Sequence, residues 1–174
     1  MQTFDDILEK YRESAISNRH MGDKFERLMQ NYLKTNPVYK HDIEEVYLWN
    51  DFPFKMEFGS GKDIGIDLVV QTKNDEYWAV QCKFYSADNK ITKADVDSFL
   101  ATSSKTFNGT RFSKRLWIST TNNWNTESEN SLVNQSPEVE RIGLNILQNS
   151  SINWNELYKF SETNANINMG GGRA

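Results

Sequence analysis

The sequence predicts an α/β domain, a central mixed β-sheet flanked by helices with the core order α-β-β-β-α-β. Three observations carry this. A helical-period apolar stripe lies near the start, three strand-like runs follow in succession, and a capped helix then leads into a buried strand. Two of the three early runs flank a polar stretch, Thr72 to Glu76, and therefore read as a hairpin.

Thr3 and Asp6 have capping-box spacing, and Phe4, Ile7, Leu8 and Tyr11 recur at helical period, which predicts a first helix over 4–17. Asn18 to Gly22 reads as a break. A second helix over 23–34 follows, with Phe25, Leu28, Met29, Tyr32 and Leu33 on one side and Asn36-Pro37 as its stop. Ile43 to Trp49 reads as a strand, and 50–62 as a loop containing Pro53 and the first of three close glycines, Gly59, Gly61 and Gly65. The hairpin strands are expected at Ile66–Gln71 and Tyr77–Phe84. Thr92 with Asp95 forms a second capping box, opening a helix to about Ser104 with Val96, Phe99 and Leu100 inward. After a basic loop, Phe107–Lys114, the run Arg115–Thr120 reads as a buried strand. A short helix within 122–135, a last strand over 141–147 and a short helix over 153–160 complete the chain. The domain is expected to span 1–160, with an N-terminal helix in 1–20 and the core in 21–160. The polar, glycine-rich 161–174 reads as a linker or added tail.

A chain of 174 residues, 13% aromatic and 25% charged, can bury one real core. No apolar run approaches the ~20 residues of a membrane span, and the N-terminus lacks a secretory pattern. One cysteine, Cys82, and two histidines, His20 and His41, exclude an internal disulfide framework and a Cys/His zinc site. These features predict an intracellular protein. Net charge is −4, yet 83–115 carries seven basic side chains (Lys83, Lys90, Lys93, Lys105, Arg111, Lys114, Arg115) against Asp88, Asp95 and Asp97. Such a zone beside carboxylates suits a polyanion approached through metal ions, and equally a solvated lysine-rich surface.

The hairpin holds the chemistry. Pairing Asp67 with Gln81 sets Ile66 against Cys82, Leu68 against Val80 and Val70 against Trp78. The apolar side chains then share one face, and Asp67, Gln81 and Lys83 share the other. This register needs an odd-numbered loop centred near Asn74. Asp67 is a hard oxygen donor suited to Mg²⁺, Gln81 offers a neutral carbonyl oxygen, and Lys83 could orient a water or stabilise developing negative charge. Glu26 and Asp63 are candidates for a second carboxylate. Each also has a bland reading, Glu26 as a first-turn acid and Asp63 as turn chemistry. Cys82 is expected to pack, offering a cation only its backbone carbonyl.

The glycine-rich loop, the D-x-G-x-D segment (Asp63, Gly65, Asp67), the hairpin and Q-x-K (Gln81, Cys82, Lys83) resemble the PD-(D/E)xK nuclease superfamily. The Q-x-K form with the upstream Gly22, Phe25 and Glu26 is similar to its Mrr-like branch. GDKFERLMQNYLKT and GKDIGIDLV further resemble the N-terminal nuclease domain of Type ISP restriction-modification enzymes, the LlaGI/LlaBIII group. The resemblance covers roughly 3–160. It implies a restriction-endonuclease-like fold and an Mg²⁺-dependent endonuclease using one or two ions on double-stranded DNA in a prokaryotic cytoplasm. It also implies a parent chain carrying an ATP-driven translocase, an adenine methyltransferase and a target-recognition domain. Residue by residue it carries the metal aspartate to Asp67, the motif amide and amine to Gln81 and Lys83, and the helix glutamate to Glu26. Lys90, Lys93, Lys105, Arg111, Lys114 and Arg115 are then the expected DNA contacts. Gln81 stands where the commoner motif has an acid, which removes one negative charge. A nuclease fold that only binds or docks on DNA is the alternative.

Overall fold

The computed structural model describes residues 2–59 and 64–170, with 164–170 described by backbone alone. Helix α1 (Phe4–Ser14) has its full capping box: Asp6 N–H donates to Thr3 Oγ1 at 3.2 Å, and Thr3 N–H donates to Asp6 Oδ2 at 2.9 Å. Helix α2 (Asn18–Thr35) begins well before the predicted start. Ser17 caps it by accepting from His20 N–H at 3.0 Å, so the expected break at 18–22 is its first turn. Gly22 sits inside the helix with open space around it, where glycine costs about 1 kcal/mol relative to alanine and does not stop the helix.

The remaining elements are β1 (Ile43–Leu48), two 3-10 turns at Trp49–Asp51 and Lys55–Phe58, β2 (Leu68–Thr72), β3 (Tyr77–Lys83) and α3 (Lys93–Ser103). Next come β4 (Thr106–Phe107), β5 (Thr110–Arg111), β6 (Lys114–Ser119), α4 (Thr126–Ser131), β7 (Val139–Ile142), α5 (Leu144–Gln148) and α6 (Trp154–Gly170). The expected basic loop contains the small β4–β5 hairpin, turned by Asn108 and Gly109 at φ 47° and 71°. The last strand is shorter than expected: Gly143 ends it, and 144–148 is helical. Helix α6 continues past 160, and Ser161 is buried against Asn31, so the fold does not end at that expected boundary.

The sheet order is β1-β2-β3-β6-β7, antiparallel across β1, β2 and β3 and parallel across β3, β6 and β7. The hairpin has the expected register, Leu68 with Val80 through Gln71 with Tyr77. Thr72 N–H donates to Glu76 O at 2.8 Å, leaving a three-residue loop centred on Asn74, with Asp75 at φ 60°.

One-sided burial is corrected. Leu68, Val70, Trp78, Val80 and Cys82 pack with α1, α2 and α6 on one face. Val69 and Ala79 are equally buried on the other, with Phe52, Phe99, Phe107 and Trp117. The central strands are covered twice, as strands in a partly parallel sheet between helices usually are. Ile66 is also corrected: it packs in this second cluster, because the strand alternation starts only at Leu68.

Candidate active site

Main-chain pairing between β2 and β3 stops where the polar residues begin. Asp67 N–H donates to Val80 O at 2.9 Å, but the next strand amide, Cys82 N–H, is taken by the Asp67 side chain, Oδ2, at 2.8 Å. This bond fixes the carboxylate over the end of the hairpin. Gln81 follows Val80, the last β3 residue in register with β2. Gln81 is 5% exposed, and its Oε1 is buried with no hydrogen-bond partner among the described residues. A bare acceptor of this kind is costly unless something binds it.

Helix α2 brings Glu26 against Asp67, close enough for the two carboxyl groups to share a hydrogen bond. Burial first, then the charges of Asp67 and Asp23, push the Glu26 carboxyl up to about 9, with Arg27 pulling the other way. Glu26 lies well inside α2, so a first-turn dipole role no longer accounts for it. The Cys82 thiol is held far above its usual range by burial, then by Asp67 and Glu26. Its side chain packs in the core, as expected.

Lys83 is oriented by α3. Its Nζ stands 3.9 Å from Asp95 Oδ1, while Tyr85 OH donates to Asp95 Oδ2 at 2.6 Å. Asp95 therefore does not close the predicted capping box; it only donates its own N–H to Thr92 Oγ1 at 3.4 Å. Asp63 lies outside the described residues.

The expected DNA contacts are partly corrected. Arg115 is fully buried and donates to Ser103, Ser104, Gln135 and Pro137 O, so it is a structural tie. Lys114 pairs with Glu140 at 3.5 Å and lies over Trp78, and Lys93 pairs with Asp97. Lys90, Lys105 and Arg111 are exposed. None of these six is among the described residues lining the cleft that holds Glu26 and Asp67.

That cleft, about 560 Å³, is walled by α2 and by the segment after β1: Arg19, Gly22, Asp23, Glu26 and Arg27 face Trp49, Asn50 and Asp51, with Asp67 between. Sequence reasoning missed Arg19, Asp23 and Arg27. Their spacing with Glu26 marks one helical face, but only in a helix that starts at Asn18.

The donor set fits a hard divalent cation. Such an ion takes one or two carboxylates with neutral oxygens and water, and here two carboxyl groups are in contact, while Gln81 on β3 carries an unpartnered amide oxygen. Among the described residues, no three or more His, Cys, Asp or Glu side chains are grouped so as to hold a metal ion. No described helix is long and apolar enough to cross a membrane.

A family model of Mrr type described as "Restriction endonuclease" matches residues 34–164, beginning in the last turn of α2 and so excluding Glu26. No curated protein matches the chain. Among solved structures it is similar to the "ATP-dependent Type ISP restriction-modification enzyme LlaBIII bound to DNA", with 31% identity and a TM-score of 0.68 over 90% of this chain. The chain spans 9% of that protein's length. A second structure, "MspJI Restriction Endonuclease in Complex with 27-mer Oligonucleotide", aligns over 90% of this chain and 34% of that one, at 9% identity and a TM-score of 0.49, too distant to bear on the argument. The mixed sheet with helices on both faces is accordingly a restriction-endonuclease-like fold, and the chain belongs to the restriction endonuclease family.

Proposed function

We propose that this chain is the DNA-cutting part of a larger ATP-dependent restriction-modification enzyme, an Mg²⁺-dependent endodeoxyribonuclease that hydrolyses phosphodiester bonds of double-stranded DNA. One observation carries the reading: two carboxyl groups, Glu26 and Asp67, meet in one cleft at the end of the β2–β3 hairpin. Membership of the restriction endonuclease family supports it, as does the use of divalent metal general to such enzymes.

Asp67, Gln81 Oε1 and Glu26 would hold the cation, with the Cys82 backbone carbonyl as a further donor. When bound, it would polarise the phosphodiester and make a bound water a hydroxide source near neutral pH. The chain's own residues do the rest. Cys82 N–H aims the Asp67 carboxylate. Glu26 holds a proton at its carboxyl in the empty pair and stands as a carboxylate once that charge is compensated. Lys83 is tethered loosely at 3.9 Å by Asp95, which leaves its ammonium able to orient the attacking water or meet charge on the phosphate. Asp63 is a supporting acid in this reading. Lys90, Lys105 and Arg111 keep the exposure that duplex contact needs. Base reading is left to a target-recognition domain of the parent, whose translocase and methyltransferase are the other partners, in a prokaryotic cytoplasm.

Plasmid cleavage with Mg²⁺ by the intact parent enzyme tests this. Asp67→Ala and Lys83→Ala are each expected to abolish cutting; wild-type cutting by both sinks the assignments. Gln81, standing where the commoner motif has an acid, favours one other reading, a DNA-docking module without catalysis. It predicts DNA binding that survives Asp67→Ala and no metal-dependent cutting by any form.

A further inference from the structure

We infer that Arg19 and Arg27 form a backbone-phosphate binding edge along the cleft, bracketing the DNA strand presented to Glu26 and Asp67. The inference rests on the nuclease reading of that cleft and adds the residues that would seat the substrate. Both arginines line the cleft from one face of α2, together with Asp23 and Glu26. Helical spacing offers each a ready partner, since Arg19–Asp23 and Asp23–Arg27 are both i,i+4 pairs. Neither pair forms: among the described residues, Arg19 and Arg27 have no ion pair. Three of the six expected DNA contacts are committed elsewhere, Lys93 to Asp97, Lys114 to Glu140 and Arg115 to the core. Two unpaired guanidiniums directed into a cleft that also holds the acids are suited to phosphate, which they can grip bidentately.

Charge and length agree. The described lining carries Arg19 and Arg27 against Asp23, Glu26, Asp51 and Asp67. A divalent cation would offset that excess of two, and a proton kept on Glu26 half of it; the arginines are the only positive side chains on the described wall. Eight residues of helix separate them by about 12 Å. One strand of duplex advances about 3.4 Å per phosphate along its axis. The two side chains therefore meet different phosphates, several nucleotides apart. Arg27, next to Glu26, faces the phosphate to be cut, and Arg19, two turns away and exposed, faces a neighbour.

The test is binding of the 174-residue chain to a short duplex of arbitrary sequence, with Ca²⁺ present, over a series of KCl concentrations. Each phosphate contact contributes about 0.9 to the slope of log affinity against log salt. Arg19→Ala and Arg27→Ala are each expected to lower the slope by about one. Arg27→Lys should keep it, and Lys40→Ala, an exposed charge beyond the far end of α2, should leave it unchanged. In the parent enzyme, Arg27→Ala should also slow cutting on the order of a hundredfold, and Arg19→Ala should weaken binding with little change in the rate at saturating DNA. A wild-type slope in either alanine variant, or no binding by the wild-type chain, overturns the inference. The two readings fail separately. Unchanged slopes with Asp67-dependent cleavage sink the arginine edge alone, and arginine-dependent binding with Asp67-independent cleavage sinks the nuclease assignments alone.

Discussion

At Glu26 opposing effects decide the charge state: burial and the neighbouring Asp67 favour the neutral acid, and Arg27 favours the carboxylate. The first two win, lifting the group from 4.5 to about 9. Between those values the folded chain keeps a proton that the unfolded chain releases, so the contribution to stability is complete below about pH 4.5 and is lost as pH rises through about 9. In chelator, the melting temperature should therefore fall as pH rises from about 5 to 9, and Glu26→Gln, which cannot titrate there, should flatten that fall. Mg²⁺ should stabilise the wild type more at the alkaline end, where the proton competes least. An equally steep fall in Glu26→Gln would show that the proton sits elsewhere. Composition could not have revealed this shift, because it depends on which carboxylates the fold brings into contact.

Among the elements, the hairpin was the most legible. Leu68, Val70, Trp78 and Val80 alternate so regularly that only a register centred on Asn74 keeps them together, and the three-residue loop follows. The start of α2 was hidden because Asn18 and Gly22 are poor helix formers, and the cap that overrides them is one side chain, Ser17. Arg115 misled for another reason: a basic residue between Lys114 and Leu116 looks like surface charge, yet its guanidinium ties the end of α3 to the segment before β7. The loop entering β2 meets α3 at Gly65, which has φ +83° and whose absent Cβ would lie 3.0 Å from Ser98 Oγ and 3.1 Å from the Ser98 carbonyl. Gly65→Ala should cost roughly 1–3 kcal/mol in backbone strain alone, and the contact with helix backbone leaves little room to relax. Urea denaturation reads the loss, and cleavage should fall with it because Asp67 lies two residues on. A Gly65→Ala variant as stable and active as wild type would mean the loop is free to move away from α3.

For the molecule as a whole, the cleft depends on how firmly α2 is held, since Arg19, Glu26 and Arg27 all ride on it. Its outer side is held by α6. Asn31 Nδ2 donates to Ser161 Oγ at 2.9 Å in a buried contact, Lys24 Nζ pairs with Glu162 at 2.9 Å, and Tyr32 stacks on Trp154 at 5.6 Å. Composition alone puts the boundary at 160 because 161–174 is polar, but two of those polar side chains, Ser161 and Glu162, are the ones that lock α2. Ending the chain after Phe160 would remove the acceptor of the Asn31 amide and the carboxylate that Lys24 faces. The first loss costs roughly 0.5–1.5 kcal/mol, and the second adds to it because the Lys24 side chain is only 17% exposed. Ending after Thr163 should restore nearly all of that stability while still removing the last turns of α6. Urea midpoints of the two truncated chains against the full one measure the difference. If the chain ending at 160 unfolds at the wild-type midpoint, α2 is held by the sheet alone, and the geometry of the cleft owes nothing to α6.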